Sequence, residues 1–152
     1  MTKKAEFNAE EWSVVLQGPP IAGMMVITAE RGGTLRESVS MGKAYVEAKQ
    51  AGGSELLTEI LAAQPEVDRS RFKSGEELRT QGTQALRDAV ALLDQKATPD
   101  EVEEYKQFVV SLATRVASAH KEGGFLGAGG KAISESEQAA LDEIRSTLGL
   151  AA

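Results

Sequence analysis

The feature that most constrains the fold of this chain is a helix-start pattern that recurs along its length. In a capping box, a Ser, Thr or Asn side chain accepts a hydrogen bond from the third backbone N–H of a helix. The side chain of a Glu at that third position accepts a hydrogen bond from the backbone N–H of the capping Ser, Thr or Asn. Phe7 and Trp12 flank the first of these starts, at the positions of a hydrophobic staple. The pattern predicts helix starts at Asn8/Glu11, Thr34/Glu37, Ser74/Glu77, Thr98/Glu101 and Ser134/Glu137.

Apolar residues recur at helical spacing behind these starts. Three- and four-residue spacing continues from Glu101 to His120 and from Glu76 to Gln95, and a last helix ends at Gly149. The Gly18-Pro19-Pro20 segment predicts a break, because proline lacks the N–H that continues a helix. No segment has the two-residue alternation of a strand. The sequence therefore predicts an all-α fold, a compact array of six or seven helices with no sheet; its shorter helices are Ala9–Gln17, Pro19–Glu30, Leu35–Gln50 and Glu55–Ala63.

The length of 152 residues predicts one helical domain, residues 1–152. Its halves, roughly 1–65 and 74–152, are joined by a charged loop over 66–73. A second loop, 122–131, is rich in glycine. A phosphate-binding loop would need glycine at position 125 and Ser or Thr at position 132, where this chain has Phe125 and Ala132. We interpret the glycine loop as a hinge between two helices.

Composition excludes several classes of site. The chain has no cysteine, so a disulfide scaffold, a zinc-thiolate site and a cysteine nucleophile are ruled out. It has one histidine, His120, so no site that needs two histidines can form. The net charge of −6 disfavours nucleic-acid binding. Because the longest apolar run, Ile21 to Ala29, is too short to span a membrane and no signal peptide is evident, we expect a cytoplasmic protein without membrane contact.

The segment Gly130 to Glu137 resembles a turn found in a bacterial family. It reads Gly-Lys-Ala-Ile-Ser-Glu-Ser-Glu and opens an amphipathic helix that ends at Gly149. Residues 29–37 have a similar pattern, in which a basic residue in a glycine-containing turn is followed by a capping box. It is similar to the helix-opening turn of the tellurite-resistance TerB-like family, which often occurs twice per domain. The resemblance implies an all-helical, pseudo-duplicated domain. It also implies a divalent metal site, for which the matching positions are Glu30, Glu37 and Glu137.

Two of these glutamates have a second interpretation. Glu37 and Glu137 also stand at the third position of a predicted helix, where a carboxylate accepts backbone N–H groups without any ion. Both interpretations are open from the sequence.

Two functions from different classes follow. The first is a non-enzymatic TerB-like module of a stress response such as tellurite resistance, which acts through a protein partner or a divalent metal. The alternative is a structural or protein-interaction domain that binds no metal and recognises a partner through a groove between helices. A homo-oligomer is compatible with either. No nucleophile, base and orienting carboxylate can be assigned, so we expect no enzymatic activity.

Overall fold

The computed structural model describes residues 3–29, 35–63, 74–118 and 135–150. A short 3-10 turn, Lys4–Glu6, precedes six α-helices, and no strand occurs within these ranges. The expectation of a compact all-α array without a sheet is confirmed for this part of the chain. The charged loop, the glycine loop and His120 lie outside it. The helices are α1 (Ala9–Ala29), α2 (Leu35–Ala51), α3 (Glu55–Ala62), α4 (Gly75–Lys96), α5 (Pro99–Ala117) and α6 (Glu135–Thr147).

Local capping explains where these helices begin. Asn8 and Glu11 form the reciprocal box, with Asn8 N donating to Glu11 Oε1 at 2.9 Å and Glu11 N to Asn8 Oδ1 at 2.8 Å. Thr98 and Glu101 form the same box, and the Ser74 hydroxyl accepts from the backbone N–H of Glu77. Three of the five predicted starts are thus confirmed. Thr34 and Ser134 lie outside the described residues.

The predicted break at Gly18-Pro19-Pro20 is wrong. A single helix, α1, runs through all three residues. Pro19 has no N–H to donate to the carbonyl of Val15, but the hydroxyl of Tyr105 from α5 donates to that carbonyl at 2.7 Å. Gly18 makes room for this contact, because a Cβ at Gly18 would lie 2.1 Å from the Tyr105 oxygen. A tertiary hydrogen bond therefore replaces the helical one.

Helix α1 is the central element of the array. Every residue from Gly18 to Ile27 is buried, as expected for a helix that is apolar on all sides. It packs against α4, α5, α6 and α2. The contact with α4 is close, since a Cβ at Gly82 would lie 2.8 Å from the sulfur of Met25. Helices from both sides of the charged loop therefore share one core.

The remaining helices are amphipathic. All eight apolar residues of the predicted α5 stripe are buried: Val102, Tyr105, Phe108, Val109, Leu112, Ala113, Val116 and Ala117. Helix α6 ends at Thr147 and is capped as predicted by Gly149, which has a φ of 76°. Leu150 N donates to Arg145 O and Gly149 N to Ser146 O, which is the Schellman arrangement. The apolar spacing therefore identified the faces that form the core.

Candidate functional site

Of the three glutamates proposed as metal ligands, the structure describes one side chain. Glu30 lies outside the described residues, and Glu37 lies in the first turn of α2, where the side chain is not described. Glu137 is the third residue of α6 and is 1% exposed. Within the described part of the chain, no group of three His, Cys, Asp or Glu side chains is arranged to hold a metal ion. The three-glutamate site stays a prediction.

Glu137 and Glu101 are the two buried carboxylates in the described ranges. Each stands at the third position of its helix, where the helix dipole favours negative charge. Glu101 accepts a hydrogen bond from the backbone N–H of Thr98, its capping residue, at 2.9 Å. Ser134, the corresponding capping residue for Glu137, is not among the described residues. Glu137 therefore shares with Glu101 its burial and its position in the helix, and the capping interpretation stays a prediction for it.

A cleft lies between three helices of the described structure. Its volume is about 530 Å³, within the range of about 300–1,000 Å³ that is typical of ligand pockets. It lies where the C-terminal end of α1 meets the N-terminal turns of α4 and the exposed side of α6. The lining residues are Met25 and Thr28 from α1, Gly75, Glu76 and Arg79 from α4, and Ser136, Ala139, Ala140 and Glu143 from α6.

The cleft is lined by both apolar and polar groups. Met25 is buried and lines the cleft together with the small side chains Ala139 and Ala140. Arg79 and Glu143 also line the cleft; Arg79 Nε donates to Glu143 Oε2 at 2.6 Å, and this ion pair joins α4 to α6. The cleft therefore combines a small apolar wall with a charged pair that can donate and accept hydrogen bonds.

Two threonine hydroxyls at or near the cleft are hydrogen-bonded within the fold. The Thr28 hydroxyl donates to the backbone carbonyl of Met24 at 3.0 Å. The Thr83 hydroxyl donates to Arg79 O at 2.8 Å and also contacts Glu143 Oε1 at 3.3 Å. The first two bonds lie within α1 and α4, and the Thr83–Glu143 contact joins α4 to α6 beside the Arg79–Glu143 ion pair. The cleft can therefore bind a ligand by shape complementarity and hydrogen bonding.

Sequence reasoning missed the cleft because its residues are distant along the chain. Arg79 and Glu143 are separated by 64 positions. No local motif marks them, and Ala139 and Ala140 belong to the small-residue side of an ordinary amphipathic helix. The adjacent small residues in α6 were the one available signal, and they become informative only when the packing of α6 is known.

The comparisons with known proteins add no relative. No protein-family model matches the chain, and the searches of curated proteins and solved structures found no match to it. Among the described helices, none combines the length and apolar character that crossing a membrane requires.

Proposed function

We propose that this chain is a non-enzymatic, TerB-like helical module that binds a protein partner in the cleft between α1, α4 and α6. The resemblance of residues 130–149 to the tellurite-resistance family suggests the setting, a cytoplasmic stress response. The cleft supplies the observation that carries the proposal.

Three properties of the cleft support a protein segment as its occupant. Its volume of about 530 Å³ is large enough for one or two apolar side chains. Met25 gives part of its wall a flexible, polarizable side chain, which adapts to partners of varied shape. The Arg79–Glu143 pair in its lining can bind the backbone of such a segment. An apolar anchor in a pocket with a polar rim is the usual form of a strong protein contact.

The test variant places a large side chain in the cleft and leaves the core residues unchanged. Ala139 is exposed and lines the cleft, so Ala139→Phe should occupy it while the fold survives. Ala91→Phe, at an exposed position of α4 outside the cleft, is the matched control. After cross-linking in the cells that make the protein, we expect one partner to be captured by the wild type and by Ala91→Phe, and lost with Ala139→Phe. The purified partner should bind Ala139→Phe about tenfold more weakly or worse. Equal capture by both variants would refute the cleft as the site.

The stress-response setting has its own test. Cells that lack the chain should grow poorly on tellurite. Wild type and Ala91→Phe should restore growth, and Ala139→Phe should not. If cells that lack the chain tolerate tellurite fully, the chain has no role in tellurite resistance. Partner binding in the cleft would then be tested by the capture experiment alone.

The metal-linked form of the proposal rests on Glu30, Glu37 and Glu137 and is tested separately. Thermal melting of EDTA-stripped protein is measured with and without millimolar Ca²⁺, Mg²⁺, Mn²⁺ or Zn²⁺. A ligand that binds only the folded state raises the melting temperature, so one ion should raise it by several degrees. That rise should disappear in Glu37→Gln or Glu137→Gln, each compared with its own metal-free melting temperature. No rise with any ion would exclude the metal and leave the metal-free interaction domain.

A further inference from the structure

The outward side of α2 carries the exposed large apolar side chains of the described chain. Val39 and Val46 are 50% and 51% exposed, while the apolar residues on the other side of α2 are buried in the core. The two valines are seven residues apart and therefore lie on the same side, two turns apart. Gly42 lies between them, and a Cβ at Gly42 would meet nothing within 4 Å. We call the surface formed by Val39, Gly42, Lys43, Val46 and Lys49 the α2 face.

The α2 face is basic in a chain that is acidic overall. Lys43 and Lys49 are exposed, and they lie on opposite sides of the line joining the valines. The nearby Glu47 is bound by Arg115 of α5, with 2.8 Å between Arg115 Nη2 and Glu47 Oε1. Its charge is therefore largely compensated. Against a net charge of −6 for the whole chain, this face has a local excess of positive charge.

We propose that the α2 face docks an acidic amphipathic helix of a partner protein. Apolar residues spaced three or four apart on that helix would cover Val39 and Val46 across the gap at Gly42. Asp or Glu beside them would pair with Lys43 and Lys49. Because the chain as a whole has a net charge of −6, an acidic partner is repelled by the protein overall and attracted locally by these two lysines, which favours docking at this face.

A second copy of the chain fits this face less well. In an antiparallel pairing that places each Val39 on the Val46 of the other copy, the two-fold axis passes between positions 42 and 43. The two Lys43 side chains would then lie side by side near the axis. Like charges in close contact oppose association, whereas carboxylates on a different helix would neutralise both lysines.

The probe for this surface is a phage-displayed library of random peptides of about 16 residues, long enough for four helical turns. Selection uses the wild-type chain, with Val39→Ser/Val46→Ser as the counter-selection target. We expect enriched peptides to carry apolar residues three or four apart, with Asp or Glu between them. A synthetic enriched peptide is then measured by fluorescence anisotropy against wild type, Lys43→Glu and the control Arg87→Glu, which makes the same charge change on the exposed side of α4.

The expected result is a loss of affinity of about tenfold or more with Lys43→Glu and of less than about twofold with Arg87→Glu. Binding should also weaken as salt is raised. The proposal is overturned if no peptide is enriched, if enriched peptides are basic, or if they bind wild type and Lys43→Glu equally. Sedimentation of the chain alone supplies one more outcome. A dimer that Val39→Ser/Val46→Ser dissociates would assign the face to a second copy and reject the acidic partner.

Discussion

Helices α1 and α5 lie against each other, yet they are buried in different ways. Helix α5 has one apolar side, with Val109, Leu112 and Val116 in the core and Glu103 and Gln107 in solvent. Helix α1 is buried on every side from Gly18 to Ile27. A helix with a solvent side can bind water at a carbonyl whose helical partner is missing. A helix buried all round must find that partner in a neighbouring side chain, because a buried unpaired carbonyl is costly.

The Tyr105 side chain of α5 supplies the hydrogen-bond donor that α1 lacks at Val15. Its hydroxyl satisfies the Val15 carbonyl that Pro19 leaves without a helical donor. Burial, with a smaller contribution from Tyr45, raises the pKa of Tyr105 above its ordinary value, so the hydroxyl keeps the proton that it donates. The comparison shows that α5 is defined by its own sequence, whereas the middle of α1 depends on α5.

The largest effect should come from closing the space that Tyr105 occupies. Gly18→Ala would place a methyl group 2.1 Å from the Tyr105 oxygen, and we expect a loss of about 2–3 kcal/mol of unfolding free energy in urea titrations. Gly42→Ala is the matched control in α2, where the added Cβ meets nothing. It should gain about 0.5–1 kcal/mol from helix propensity. A gain in stability from Gly18→Ala as well as from Gly42→Ala would show that Tyr105 does not constrain α1.

A smaller effect is expected from removing the hydroxyl alone. Tyr105→Phe keeps the ring and leaves the Val15 carbonyl without its donor, which should cost about 1–2 kcal/mol. Tyr45→Phe is the control. It preserves the edge-on contact with Phe108, at 5.2 Å between ring centroids, and should change stability by less than about 0.5 kcal/mol.

A double-mutant cycle sharpens this test. Pro19→Ala restores a backbone N–H that can donate to Val15, so Tyr105→Phe should cost less in the Pro19→Ala background than in the wild type. Equal costs in the two backgrounds would mean that the hydroxyl does not replace the missing helical bond.

The smallest effect concerns the exposed start of α1. The backbone N–H of Asn8, and after it the Lys96 ammonium, lower the pKa of Glu11 below its ordinary value of 4.5. A carboxyl with a lowered folded-state pKa adds stability above the unfolded-state pKa, and this stability is lost as the pH falls through the folded-state value. Glu11→Gln should therefore show a smaller decrease in stability than the wild type as the pH is lowered below about 4.5. The exposed neighbour variant Glu10→Gln should keep the full decrease. A decrease in Glu11→Gln as large as in the wild type would contradict the assignment.

Local patterns predicted those parts of the fold whose interactions are local. The boxes at Asn8 and Thr98 join residues three apart, and the Schellman end at Gly149 joins residues up to five apart. The start of α3 has a mixed origin. Ser54 caps Leu57 locally, but its backbone N–H and its hydroxyl both donate to Glu104 of α5, 50 positions away. No spacing rule identifies Glu104 as that acceptor.

The candidate site was less predictable than the fold. The metal prediction selected glutamates in local turns, and the structure describes only Glu137 among their side chains. The cleft depends on how α6 packs against α4, which places Arg79 beside Glu143. Small and charged residues of this kind are common on helix surfaces, so only their approach in space distinguishes them.

The sequence by itself determined the helical class, three capped starts, the end of α6 and the apolar side of α5, because each follows from contacts within a few turns of chain. Only the tertiary structure decided that α1 continues through Gly18-Pro19-Pro20, that α4 and α6 enclose a cleft, and that α2 keeps two valines and two lysines in solvent. The physical reason is that these features depend on residues about 50 or more positions apart, or on which side of a helix remains uncovered.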